Sequence, residues 1–125
     1  MKSTISTTKA PKAVGPYSQG VSFENLIFTS GQIALDPNTG KMVPGGIKEQ
    51  SRQVMNNLKA VLTAAGSDLN NVIKTTVFLK DINDFSTFNE IYAEYFPDTL
   101  PARSAFQVAA LPLNAMVEIE MIAHR

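Results

Sequence analysis

Residues 116–124 alternate in character. Val117, Ile119, Met121 and Ala123 share one side; Met116, Glu118, Glu120, Ile122 and His124 share the other. Successive strand residues point to opposite faces, so this spacing predicts a strand with one oily face and one face bearing two carboxylates. Residues 72–80 repeat the pattern, with Ile73, Thr75, Val77 and Leu79 set against Lys74, Thr76, Phe78 and Lys80. A sheet built from such strands needs cover on one side only, and this limits what the rest of the chain can be.

The cover is two helices. From residue 47 to 65, apolar side chains at 47, 54, 55, 58, 61, 62 and 65 form one stripe, and Gly66 stands where a left-handed cap belongs. A second helix follows a cap at Asn83 or Asp84; its stripe is Phe85, Phe88, Ile91, Tyr92, Tyr95 and Phe96, and Pro97 stops it. An aromatic stripe at this spacing reads as core. Upstream, residues 17–23 and 26–35 flank the turn pair Glu24-Asn25 as a hairpin, with Gly31 inside its second strand, where a glycine marks a bulge or a close backbone approach.

An edge strand at residues 4–7, an extended arm to Pro16, and a strand at residues 102–109 complete the set. The order is β-β-α-β-α-β-β after the edge strand: an α+β chain, one domain over residues 1–125, with a mixed sheet and two helices on one face. The other face carries Lys74, Phe78, Glu118 and Glu120. That mixture is too polar for a dry core and too apolar for free water, which suits contact with another subunit.

Composition removes several function classes. With no Cys among 125 residues there is no disulfide framework, thiolate nucleophile or Cys-ligated metal, and the single His, His124, leaves no His triad and no multi-His metal site. Lys plus Arg equals Asp plus Glu at 11 each, which gives no electrostatic footprint for nucleic acid or anionic lipid. No stretch has the length of a signal-peptide core or a membrane span, so the expectation is a cytoplasmic protein with no membrane partner. The acid-free, Ser- and Thr-rich start, residues 2–12, is the one segment with the composition of an organelle-targeting sequence.

One cation then stands out. Between Asp98 and Glu118 the only charged side chain is Arg103, set among Pro101, Ala102, Ala105, Phe106 and Val108. A guanidinium withdrawn from water needs anionic oxygens to match its fork of donors. The partner is either an internal carboxylate, Glu118 or Glu120, or the carboxylate of a ligand.

Five segments carry a family resemblance: Gly15-Pro16-Tyr17-Ser18-Gln19-Gly20, Thr29-Ser30-Gly31-Gln32-Ile33, Lys74-Thr75-Thr76-Val77-Phe78-Leu79-Lys80-Asp81, Pro101-Ala102-Arg103-Ser104 and Val117-Glu118-Ile119-Glu120. In order and spacing they resemble the RidA (YjgF) family of reactive-intermediate deaminases. The resemblance implies a homotrimer with a chorismate-mutase-like fold, pockets between subunits, and hydrolysis of 2-enamine and 2-imine acids such as 2-aminoacrylate to 2-oxo acids and ammonia. No cofactor and no metal is implied, and the partners are a small imino or 2-oxo acid and further copies of the chain. Arg103 matches the arginine that holds the substrate carboxylate and Glu118 the glutamate assigned to the hydrolytic water; Tyr17, Ser30, Gly31, Asn89 and Ala105 match positions in or beside the pocket. On the same resemblance, the Gly31 N–H and the Ser30 hydroxyl would hold a carboxylate oxygen or orient the water.

The chain departs from the family's usual pattern twice. Ala105 stands where cysteine is common, and Ala110 where a second arginine is common, so thiol chemistry is ruled out here. A non-catalytic role, capture of a small 2-oxo acid by the same pocket, is the alternative reading. A ribonuclease reading has little to rest on in a neutral chain without a His pair.

Overall fold

The structure is a computed structural model covering residues 1–125. Its strands are β1 (Lys2–Ile5), β2 (Gly20–Phe23), β3 (Leu26–Thr29), β4 (Val72–Leu79), β5 (Ala102–Gln107) and β6 (Val117–His124), with helices α1 (Ile47–Ala64) and α2 (Phe85–Glu94). They form a single six-stranded sheet in the order β1-β2-β3-β6-β4-β5. The last strand in sequence lies near the middle, antiparallel to both β3 and β4, while β5 pairs parallel to β4 at the edge. That parallel pair is joined through α2, as a parallel crossover requires.

One face holds the core. Val117, Ile119, Met121 and Ala123 of β6 and Val77 and Leu79 of β4 pack with Val54, Met55, Leu58, Val61 and Leu62 of α1 and Phe88 and Tyr92 of α2. Glu49 Oε1 accepts from the Gly46 N–H at 2.7 Å and fixes the start of α1. Gly66 closes that helix in a left-handed conformation, φ 80°, with the Ser67 N–H donating to the Leu62 carbonyl at 2.9 Å. Leu58 is fully buried in this layer, so Leu58→Ala is expected to cost about 2–5 kcal/mol, read as a lowered denaturation midpoint.

Several boundaries differ from the sequence expectations. The edge strand lies at Lys2–Ile5, not at residues 4–7, so the first part of the acid-free start is built into the sheet. The hairpin is shorter on both sides. Its second strand ends at Thr29, and Gly31 lies beyond it, next to an isolated bridge between Gln32 and Ile119. Ile73 does not join the core face. A bulge between Val72 and Lys74 inserts it as an extra residue, and the alternation resumes only at Thr75. Asp84 holds the N-cap position of α2 but makes no side-chain cap hydrogen bond; the side-chain cap lies one turn earlier, where Asp81 accepts from the Asn83 N–H at 2.9 Å and starts a short 3-10 turn that runs into the helix.

The opposite face carries Phe28, Phe78, Phe106 and Ile122 beside Lys74, Thr76, Glu118 and Glu120. Phe78 and Phe106 meet edge to face at 5.4 Å. Neither helix covers this side. No helix is long and apolar enough to cross a membrane.

Candidate functional site

Arg103 projects from β5 toward α2. In the parallel register it stands beside Thr75, which is buried, and its Nη1 donates to Asn89 Oδ1 at 2.8 Å. Its guanidinium carbon lies 4.9 Å from the Tyr92 ring centroid and 5.3 Å from that of Phe85. Ala105 shares this side of β5 and packs against the core. The single ion pair in the chain is the exposed Arg52–Glu94 pair, so Arg103 meets no carboxylate. The internal partners considered from sequence, Glu118 and Glu120, are ruled out within one chain because they point from the other face of the sheet.

On that other face Glu118 and Glu120 line a cleft of about 660 Å³ together with Tyr17, Ser30, Gly31 and Leu113. Burial, and then the charge of Glu120, hold the Glu118 carboxyl above the usual carboxylate range. Gly31 is there because of Glu118. A Cβ at position 31 would come within 2.9 Å of the Glu118 carboxyl carbon and closer still to one of its oxygens. Gly31→Ala is therefore expected to push the carboxylate out of place and to reduce turnover about a hundredfold, with stability little changed, as steady-state kinetics and thermal melting would show.

Ser30 is already engaged within the chain. Its hydroxyl donates to the Ser18 carbonyl at 2.6 Å and its N–H to the Gln19 carbonyl at 2.9 Å, so its proton is used and its lone pairs are what it can offer a ligand. The Gly31 N–H donates to no protein acceptor and is free for one. Tyr17 accepts from the Val14 N–H at 3.3 Å and forms part of the cleft wall.

Gln19 holds that wall. Buried, it accepts from the Thr7 N–H at 2.7 Å and donates to the carbonyls of Thr7, Ala10 and Pro11, anchoring the arm that brings Lys12, Val14 and Tyr17 to the cleft. Sequence reading saw Gln19 only within a matching block. Nothing local marks it, because its partners lie 8 to 12 residues away on an irregular segment.

One chain thus carries two incomplete sets. Arg103, Asn89 and Ala105 sit at the α2 side of the sheet edge; Tyr17, Ser30, Gly31 and Glu118 sit in the cleft on the open face. The first set offers a cation without a counter-charge. The second offers a desolvated carboxyl beside an unused N–H.

Comparison with known proteins places the chain. The sequence profile of the family described as Endoribonuclease L-PSP matches residues 7–125. A mouse protein named 2-iminobutanoate/2-iminopropanoate deaminase is 58% identical over 123 residues, covering 98% of this chain and 91% of that protein. The human protein of the same name is 53% identical, covering 98% and 90%. Among solved structures, YyfA of Yersinia pestis, described as a member of the conserved Rid protein family, superposes with a TM-score of 0.97 at 48% identity over the full length of both chains. E. coli TdcF with bound serine gives 0.95 at 46% identity, covering 98% of each. With its sheet order, its helical layer and nearly its whole length matched, the chain belongs to the Endoribonuclease L-PSP family, the RidA (YjgF) proteins.

Proposed function

We propose that the chain hydrolyses small 2-imino acids, reached from their 2-enamine tautomers, to 2-oxo acids and ammonia, in sites assembled between copies of itself. The observation that carries this reading is the Arg103 guanidinium, half-buried, fixed by a neutral amide and two rings, and without a carboxylate of its own. Such a group is ready for a ligand anion. Relatives 53–58% identical along nearly the whole chain carry the name 2-iminobutanoate/2-iminopropanoate deaminase, which supplies the substrate class.

The chemistry follows from the two sets of residues. Arg103 of one copy binds the substrate carboxylate through its free N–H groups. The open face of the next copy presents Glu118 to a water beside the imine carbon. Glu118 takes a proton from that water as its oxygen bonds to C2 and the C=N pair moves onto nitrogen. Glu118 returns that proton to the nitrogen of the resulting carbinolamine, then takes the hydroxyl proton as the C=O bond forms, the C–N bond breaks and ammonia leaves. The imine reacts as its iminium, protonated on nitrogen, whose carbon is already electrophilic, so this step needs no cofactor. The Gly31 N–H, otherwise unused, is placed to orient the water or a carboxylate oxygen.

A homotrimer is part of this proposal, and the uncovered sheet face with Phe28, Phe78 and Phe106 supports it. Cytoplasmic residence belongs to the same reading, supported by a chain without Cys. The test is to generate 2-aminoacrylate from serine with a dehydratase and follow pyruvate release. Wild type should accelerate release and Arg103→Ala should not; equal rates with either protein, or with none, would end the proposal.

A further inference from the structure

A ligand clamp built from arginine has a design problem, and the surroundings of Arg103 solve it. A free arginine side chain carries about 2 kcal/mol of rotamer entropy, so a flexible guanidinium binds weakly. A carboxylate would fix it but would also occupy its donors and cancel its charge. Here the fixing groups are neutral. They are the amide oxygen of Asn89 and the rings of Phe85 and Tyr92, which α2 supplies at positions 85, 89 and 92, a spacing that lies along one helix face.

We propose that Phe85 and Tyr92 are positioning residues for Arg103, forming an aromatic cradle that holds the guanidinium in place while leaving its charge for the ligand carboxylate. The inference rests on the reading of Arg103 as that clamp. An aromatic face attracts a cation through its quadrupole without donating or accepting a proton, so it orients the group and does not compete for its N–H donors.

The Tyr92 ring cannot drift. It packs against Phe88 at 5.4 Å and Phe96 at 4.9 Å, and its hydroxyl is 2.7 Å from Thr75 Oγ1, the strand neighbour of Arg103. Burial also holds the phenol above its usual range, which keeps the ring neutral. Phe85, at the helix start and half-buried, bounds the guanidinium's second contact. The two residues therefore differ in how they can be tested: Tyr92 is buried core and cradle together, whereas Phe85 packs against the core only in part, and Phe85→Leu removes the ring while keeping an apolar side chain there.

The experiment uses the full chain with Phe85→Leu, Phe85→Tyr and Tyr92→Phe, alone and in an Arg103→Lys background. Phe85→Leu should raise KM for the imino acid roughly threefold to thirtyfold with a smaller change in kcat, while the two ring-preserving variants stay close to wild type. In the Arg103→Lys background, where the planar group that stacks on the rings is gone and only a point charge remains, the effect of Phe85→Leu should be smaller. An equal effect in both backgrounds, or a rise as large in Phe85→Tyr, would overturn the cradle.

A second readout does not depend on turnover. In the unliganded protein the Arg103 side-chain methylene protons should be displaced upfield by the rings, and Phe85→Leu should remove part of that displacement. Unshifted resonances would overturn the inference even in an active enzyme. An inactive wild type with shifted resonances would instead remove the deaminase reading and leave the cradle standing.

Discussion

Glu118→Gln is expected to lower kcat by about a hundred- to ten-thousandfold and at the same time to make the protein more stable at neutral pH. The first effect follows from the proposed role of Glu118 as the general base toward the attacking water. The second follows from the environment of the carboxyl. Burial and the neighbouring Glu120 raise its pKa in the folded state. A carboxyl with a raised folded-state pKa binds more protons folded than unfolded between the two values. Stability therefore falls as pH rises through that window, and the deficit persists above it.

Gln has the same shape and no charge to bury. The variant's advantage should thus be small near pH 4 and full at pH 8, measured as the difference in denaturant midpoint from wild type. The acid limb of wild-type kcat/KM should likewise lie above the ordinary carboxylate range, since Glu118 must be ionised to accept a proton. A variant equally active would remove Glu118 from the role of base, and an advantage over wild type that fails to grow between pH 4 and pH 8 would remove the buried carboxylate as its cause.

How much of this was legible in the sequence depends on the range of the interaction. The alternation along β6 gave its buried side residue by residue, because Val117, Ile119, Met121 and Ala123 are all buried, and the α1 stripe with its Gly66 cap was equally clear. These are local signals of fixed period. Ile73 shows where periodicity stops being enough: a bulge costs nothing in sequence pattern yet turns a strand position out of the core. The end of the hairpin at Thr29 was hidden for a similar reason, since residues 30–33 keep strand-like composition while one of them, Gln32, bridges to Ile119.

The site shows a sharper limit. Arg103 and Glu118 were identifiable as a cation in an oily stretch and a carboxylate on a half-polar face, and the matching blocks tied them together. What sequence could not show was that β5 and β6 present them on opposite faces of one sheet, with β4 between the two strands. Phe85 and Tyr92 read as core because a helical stripe predicts burial, and both do pack inward. Their second contact, to Arg103, arises only through the parallel pairing of β4 with β5 and the crossover through α2, which no local pattern encodes.

That opposition of faces leads to the remaining prediction. Arg103→Ala and Glu118→Gln should each be nearly inactive alone, but unfolding and refolding them together should restore activity to about a quarter of wild type at equal amounts. In the proposed closed ring of identical subunits every site would take its arginine from one copy and its glutamate from the next. With random mixing, a site receives an intact Arg103 with a chance of one half and an intact Glu118 with a chance of one half. Mixed sites that are wholly intact arise at about one quarter, and the doubly damaged ones at about the same frequency. A site contained within one chain could never be repaired this way, since every chain in the mixture carries a lesion. Recovery should follow the mixing ratio, with its maximum at equal amounts, and it should fail when one partner is the Arg103→Ala, Glu118→Gln double variant. Activity no higher than the sum of the two separate variants would show that Arg103 and Glu118 do not meet across copies.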